Sequence, residues 1–413
     1  MSDTGKSLDV DAPDDEAVVQ DNRELVRDRE EEGSERVSFV ELFYDLIFVF
    51  AVTQLAAYLV DNVTPEGAVR AAVLFVAVWW LWINTTWATN RLDPDAAPVR
   101  FAMFALMGAS LVLSMALPYA FEGRGFSFAI PYVAMQVGRT LFSAYSLARH
   151  GEAKASRTAL RHAVWFALSG VLWMAGAVAE ADARVNLWAL ALLVELAAPW
   201  LGFPVPGLGR EETRDLDVEG EHLSERCGLF IIIALGETLL VTGARAAELE
   251  WTPTAVAAIA TAVVGSLAMW WLYFDTGSRR GTRAFEEQHP GYLARVAYTY
   301  LHMPIVAGIV LTAVGDKGLI DHPQDPVSWK DAVTILGGTA LFLLGNFLFK
   351  NATSRRWPVS HLVGLALLAA GVLLTERLDV LGLAAWAVGV LVAVAALERV
   401  LLRSRTAARQ GIK

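Results

Sequence analysis

Glu41 and Asp45 stand four residues apart in the apolar run VSFVELFYDLIFVFAVTQLAAYLV (37–60), so on a helix both carboxylates share one face. Paired carboxylates of this kind can carry protons, work as acid and base, or supply oxygen ligands to a metal. Gln54, nine residues beyond Asp45, is turned about 180° away and belongs to another contact. A second set lies in HLSERCGLFIIIALGETLL, where His222, Glu225, Arg226 and Glu237 fall within an arc of about 120° that also holds Gly236, a residue allowing close approach of a helix or ligand. Arg139 sits amid apolar residues with Gln136, Ser143 and Ser146 on the same stripe, and such a guanidinium must meet a carboxylate, an anionic substrate or water. Arg295, Tyr298 and His302 share a face; Asn84 and Asp275 close two further apolar runs, and Glu195 lies at a depth comparable to Glu237.

The elements that must position these groups are membrane helices. Of 413 residues, 55% are hydrophobic and 19% charged, 14 are Trp, and mean hydropathy is +0.42, too apolar for one soluble globular domain. The net charge of −10 is located at one end: residues 1–36 hold 13 Asp/Glu against 5 Lys/Arg, or −8, leaving −2 for the remainder. That tail has no signal-peptide core and is expected to be disordered, with a short amphipathic turn near Leu25–Val26 as an alternative. Cys227 is the single cysteine, which excludes an internal disulfide and a cysteine-rich metal site; it is expected to be structural.

Windows long enough to span a bilayer occur near 38–60, 69–90, 100–120, 126–148, 159–180, 185–203, 225–246, 253–275, 293–314, 331–350, 358–375 and 379–402, predicting an all-α polytopic membrane protein of twelve transmembrane helices. Alternate connections carry 16 Lys/Arg and the opposite set seven, which places both termini in the cytoplasm. WWLWINT (79–85) and WWLYFDT (270–276) end the second and eighth windows, with Asn84 answering Asp275, and GRTLF and GNFLF begin at Gly138 and Gly345 in the fourth and tenth. The six-window offset predicts a parallel 6+6 internal repeat. The organisation read is an acidic cytoplasmic tail (1–36), a first half (37–203), a cytoplasmic loop (204–224), a second half (225–402) and a basic cytoplasmic tail (403–413).

Each group has a structural alternative. Glu41, Glu225 and Arg226 lie near enough to helix ends to snorkel, Asp45, Arg139 and Glu237 could form a purely structural ion pair, and Asn84 and Asp275 could simply end helices. His302 could be a satisfied interior histidine, and the WWLW and MWW words packing or interface anchors.

At VELFYDLIFVFAVTQL and GEHLSERCGLFIIIALGE the chain resembles the bacterial low temperature requirement protein A family, over about 37–402. The family's characteristic words correspond to Glu41, Phe43, Tyr44 and Asp45, then His222, Glu225, Arg226, Gly228, Gly236 and Glu237. The resemblance implies a polytopic inner-membrane protein linked by name to low-temperature growth, and supplies no substrate.

No phosphate loop, zinc-type H-E-x-x-H or G-x-S-x-G occurs, and no basic, aromatic-interleaved run suggests nucleic acid. The partners expected are membrane lipids and a small-molecule or lipid substrate; no cofactor is indicated, and His222 with Glu225 at i, i+3 is only half of a metal motif. Two functions fit. One is a proton-coupled secondary transporter in which Asp45 and Glu237 carry protons, Arg139 pairs with them or with an anionic substrate, and His222 and Glu225 gate the cytoplasmic side. The other is an intramembrane enzyme acting on a lipid or hydrophobic substrate at the cytoplasmic leaflet, with Glu41, Asp45, His222 and Glu225 as acid–base or metal site. The depths of these groups predict one polar vestibule.

Overall fold

The computed structural model describes residues 25–27, 37–212, 216, 218–278, 285, 290–355 and 357–409. It is all-helical: α1 (Phe39–Asp61), α2 (Pro65–Thr89), α3 (Ala97–Ala116, prolonged by a 3₁₀ turn), α4 (Gly125–Arg149), α5 (Ala153–Val178), α6 (Ala181–Leu201), α7 (Gly220–Glu248) and α8 (Pro253–Trp271, continued by a π turn Leu272–Ser278). Then come α9 (Pro290–Leu293, a π turn Ala294–Tyr300, then His302–Asp321), α10 (Trp329–Asp331, a π turn Ala332–Gly337, then Gly338–Ser354), α11 (Val359–Gly371 with a 3₁₀ turn) and α12 (Val380–Arg409). Among the described residues, nine helices are long and apolar enough to cross a membrane. The predicted windows in α4, α5 and α11 do not reach that standard. Gln136, Arg139 and four serines or threonines dilute α4, α5 begins with a charged turn, and the apolar α11 spans only Val359–Leu374.

Local chemistry explains the helix ends. Ser38 and Glu41 form a capping box at the start of α1, Thr64 and Thr252 cap α2 and α8 ahead of Pro65 and Pro253, and Gly202 ends α6 at φ 75°. A Cβ at Gly202 would fall 2.3 Å from the carbonyl oxygen of Glu211, because the connection folds back there and the Glu211 amide bonds to the Gly202 carbonyl at 2.7 Å. α7 begins at Gly220, inside the segment read as a loop, since Asn90 holds both the carbonyl (2.8 Å) and the amide (2.9 Å) of Glu219 and seats the first turn. α12 runs to Arg409, into the segment read as a basic tail, because no Gly or Pro occurs between Gly389 and Arg409 to stop it.

Helices α1, α7 and α9 begin at one end of the bundle, here the near end, where α2, α4 and α8 finish. α1 packs on α2, α3, α7 and α9. Trp79, Trp80 and Trp82 are buried with Phe230 in the core, and the half-buried Tyr300 packs on Trp80. The π turn of α9 positions Thr299 to receive two of the α2 indoles: its carbonyl accepts from Trp79 Nε1 at 2.8 Å and its hydroxyl from Trp87 Nε1 at 2.9 Å.

Of the acidic tail only 25–27 is described, so the expected disorder of the rest lies outside the described residues. The amphipathic turn read near Leu25–Val26 is instead extended: Val26 bridges to Leu92, the Arg27 amide donates to the Arg91 carbonyl at 2.9 Å, and the Asp93 amide donates to the Leu25 carbonyl at 3.1 Å. The free backbone edge after α2 satisfies these groups, which favours pairing over a turn.

Candidate functional site

The expected single vestibule is two centres. The first is an ion cluster at the near end, assembled by α1, α2, α7 and residue 27. Arg226 places Nη1 at 2.7 Å from Glu41 and Nη2 at 2.6 Å from Asp45, all three fully buried. Trp82 Nε1 donates to the same Asp45 oxygen at 2.7 Å, so an indole expected only to pack is also a ligand of the carboxylate. Glu41 is met further by His222 Nε2 at 3.0 Å, by the Ser38 amide at 3.0 Å and by Arg27 Nη2 at 3.5 Å. Two carboxylates thus face two guanidiniums, with His222 held between Glu41 and the Asn90 amide group (3.2 Å). Among the described residues its two carboxylates and two guanidiniums balance, and the geometry is that of a lock between α1 and α7.

Around the second centre the surroundings are different. Arg139 is 5% exposed, and no carboxylate lies within salt-bridge distance of it among the described residues. Its Nη1 donates to Thr85 Oγ1 (3.1 Å) and more weakly to the Leu81 carbonyl (3.4 Å), and its Nη2 to Gln136 Oε1. Gln136 in turn donates to Glu195 at 3.2 Å, a buried carboxylate also bound by Tyr132 (2.7 Å), Ser169 (2.7 Å) and Trp173 (2.9 Å). Tyr44, beside Asp45 in sequence, bonds Thr85 at 2.9 Å, so α1 touches both centres through consecutive residues.

Arg139 lines a cavity of about 720 Å³ enclosed by α2, α4, α5, α6, α9 and the α6–α7 connection. Among the described residues its wall carries five Arg/Lys (Arg91, Arg139, Lys154, Arg157, Arg295) and two carboxylates (Glu152, Glu211), together with Trp80, Trp87 and Phe203. Glu211, in the α6–α7 connection, accepts from His162 Nε2 at 3.0 Å. Burial pushes the Glu211 carboxyl up, but the His162 hydrogen bond and charge, with Arg295 and Arg161 nearby, outweigh it and hold the group below the usual carboxylate range.

The remaining sequence candidates separate. Asp45 and Glu237 do not pair with Arg139: Asp45 belongs to Arg226, and Glu237, eleven residues beyond Arg226 on α7, accepts from Thr53 at 2.6 Å. About 1.5 Å of rise per residue puts it well over 10 Å from the cluster. His222 and Glu225 do not converge as a metal pair, because Glu225 turns outward and accepts from the Val37 amide at 3.3 Å while His222 turns inward. Among the described residues no group of three or more His, Cys, Asp or Glu could hold a metal. Asn84 lines the cavity and donates to the Trp80 carbonyl (2.8 Å), whereas Asp275 is half-buried and makes no hydrogen bond with it.

Arg295 lines the cavity, but His302 does not share its face, since the π turn adds a residue to the helical repeat between them. His302 is a satisfied core histidine, bonded to Tyr273 OH (2.8 Å) and the Ala297 carbonyl (2.9 Å). Gly236 brings no close neighbour; a Cβ there would meet nothing within 4 Å. Cys227 is buried. Sequence reasoning missed Arg27 and passed over Glu195. Leu25 and Val26, the apolar pair in a polar tail, were the available signal for the first, and a carboxylate in mid-span was the signal for the second.

No solved structure matches the chain. An uncharacterised protein of Rhizobium meliloti (strain 1021) is 40% identical over 346 residues, covering 83% of this chain and 84% of that relative. The model of the bacterial low temperature requirement A protein family matches residues 36–396, which contain both centres apart from Arg27. With most of its length matched, and with the words around Glu41–Asp45 and His222–Glu237 forming its buried charge cluster and the stripe above it, this multi-helical membrane protein belongs to the bacterial low temperature requirement A family.

Proposed function

We propose that the chain is a secondary transporter of the cytoplasmic (inner) membrane that moves an anionic solute through the Arg139 cavity. The observation that carries this reading is a buried guanidinium with no carboxylate partner among the described residues, facing a large cavity whose wall holds more cations than anions. A charge left without a counter-ion inside a bundle is costly unless a ligand or water completes it. The near end is then the cytoplasmic end, with both termini there, as the 16-to-7 distribution of Lys/Arg favours.

The same reading has all twelve helices crossing as two parallel six-helix halves. Its support is the pattern of neighbours: α1·α3, α2·α6, α3·α4 and α5·α6 pack together, as do α7·α9, α8·α12, α9·α10 and α11·α12. The Arg226 cluster closes the seam between the halves. Tyr44 and Asp45 make α1 the element that can pass movement at that seam to Thr85 and Arg139.

Proton coupling is assigned to Glu195, one glutamine away from Arg139. An anion that neutralises the guanidinium removes a charge favouring ionised Glu195, so anion and proton enter together. Solid-supported-membrane recording on proteoliposomes tests the reading, with inorganic phosphate and short- and medium-chain carboxylates as probes. Anion-evoked currents that vanish in Arg139→Gln are expected. Currents evoked by cations alone, or anion currents unchanged in the variant, overturn it.

A further inference from the structure

We propose that the anion is an amphiphile taken from the membrane, with its head on Arg139 and its alkyl chain in a lateral crevice between α2, α3 and α4; this rests on the transport reading above. The crevice holds about 300 Å³ and its wall is almost wholly apolar. Arg139, Ala88 and Leu92 line both it and the larger cavity, so a single guanidinium lies at the partition of an apolar space and a cationic one. That is the division of an alkyl chain with an anionic end.

Where the crevice opens indicates the source of the molecule. Ala105, Ala134 and Gly138 on its wall are exposed, and the adjoining surface of α3 and α4 presents Phe101 (69% exposed), Phe104 (44%) and Leu141 (47%), an apolar face suited to lipid. A Cβ at Gly138 would meet nothing within 4 Å, so the gap there is genuine space and no helix fills it. An apolar chain in the crevice needs no polar partner, whereas its head at the partition finds Arg139, the one charged residue among the described residues of the crevice wall. On the other side of that partition lies the larger cavity, with Trp80 and Thr140 beside Arg139 on its wall.

Native mass spectrometry of the full chain in phosphatidylcholine nanodiscs tests this with dodecyl phosphate, inorganic phosphate and dodecanol added separately. Retention of dodecyl phosphate above both others is expected. Gly138→Leu, which the open space accommodates, should weaken that retention by about tenfold or more, the loss of two methylene contacts. Arg139→Gln should abolish it. Equal retention of dodecanol would mean that the crevice holds any chain and would overturn the proposal. Arg139-dependent retention of inorganic phosphate, with dodecyl phosphate no better and indifferent to Gly138→Leu, would overturn the amphiphile while leaving anion transport standing. Failure of every anion to bind would remove both.

Discussion

Arg226 and Arg139 are two buried guanidiniums in one bundle with opposite surroundings. Arg226 meets Glu41 and Asp45 at 2.7 and 2.6 Å and is shut from solvent, while Arg139 has a hydroxyl, an amide and a carbonyl for partners and a cavity beside it. A third, Arg184, spends its donors on the carbonyls of Ala120, Glu122, Gly176 and Ala179 and ties helix ends together. The difference teaches that burial of a charge does not mark function. A guanidinium met by carboxylates makes a joint between helices, whereas one met by neutral groups beside open space keeps a charge that a ligand or water can complete.

The largest effect is expected from breaking the joint. Arg226→Met leaves two buried carboxylates without the guanidinium that joins them and should cost about 3–5 kcal/mol, read as a steep fall in melting temperature in detergent. Arg139→Gln should cost far less stability, on the order of 1 kcal/mol, because it removes hydrogen bonds and no ion pair, while eliminating anion-evoked current. Equal melting temperatures for the two variants would erase the distinction drawn between them. Next in size is Glu195→Gln, which keeps acceptor and donor atoms at the end of the Gln136 link. Anion currents should persist but lose their acceleration at acid pH; unchanged pH dependence would remove Glu195 from coupling.

How much of this was legible in the sequence depends on how local each cause is. Helix positions were, because apolar length and caps such as Ser38 with Glu41 act within one segment. The sharing of a face by Glu41 and Asp45 was legible too, and both do meet one guanidinium, though it is Arg226 and not Arg139. Depth along the membrane normal could not say which helices are neighbours, so groups at similar depth were merged into one vestibule. Face arithmetic at 100° per residue failed at His302, where a π turn intervenes, and at Glu225, which shares an arc with Arg226 yet faces outward. Matching words also conceal different settings. Trp79 and Trp80 are 1% exposed, their counterparts Trp270 and Trp271 45% and 38%, and a Cβ at Gly345 would lie 2.7 Å from the Ile305 backbone nitrogen while Gly138 faces open space.

A smaller effect is expected at Arg27, the outermost partner of the ion cluster. It reaches Glu41 at 3.5 Å, the Thr89 carbonyl at 3.2 Å and His222 at 3.4 Å. Leu25 packs on the cluster of Leu92, Ala96 and Val99, and Val26 on that of Ala144, Leu147 and Ala159. Arg27→Ala should lower stability by about 1–2 kcal/mol, less than half the loss from Arg226→Met, since the bidentate core of the cluster survives it. A loss as large as that of Arg226→Met would mean that the segment around residue 27 is part of the joint and no mere cover.

The smallest effect concerns the wall of the open site, and its sign follows from Glu211. The folded protein holds this carboxyl below its ordinary range despite burial, through His162 and the charges of Arg295 and Arg161. The folded state therefore binds the proton more weakly than the unfolded chain, so Glu211 stabilises fully above the unfolded carboxylate value of about 4.3, and the contribution is lost as pH falls through the lower folded value. Glu211→Gln should melt a few degrees below the parent chain at neutral pH, about 1 kcal/mol, and the gap should close as pH falls below the carboxylate range. A gap constant with pH would assign Glu211 a role by shape alone. A gap that widens on acidification would mean that His162 and the two arginines do not hold the α6–α7 connection through its charge, and that the cationic wall of the Arg139 cavity is organised without it.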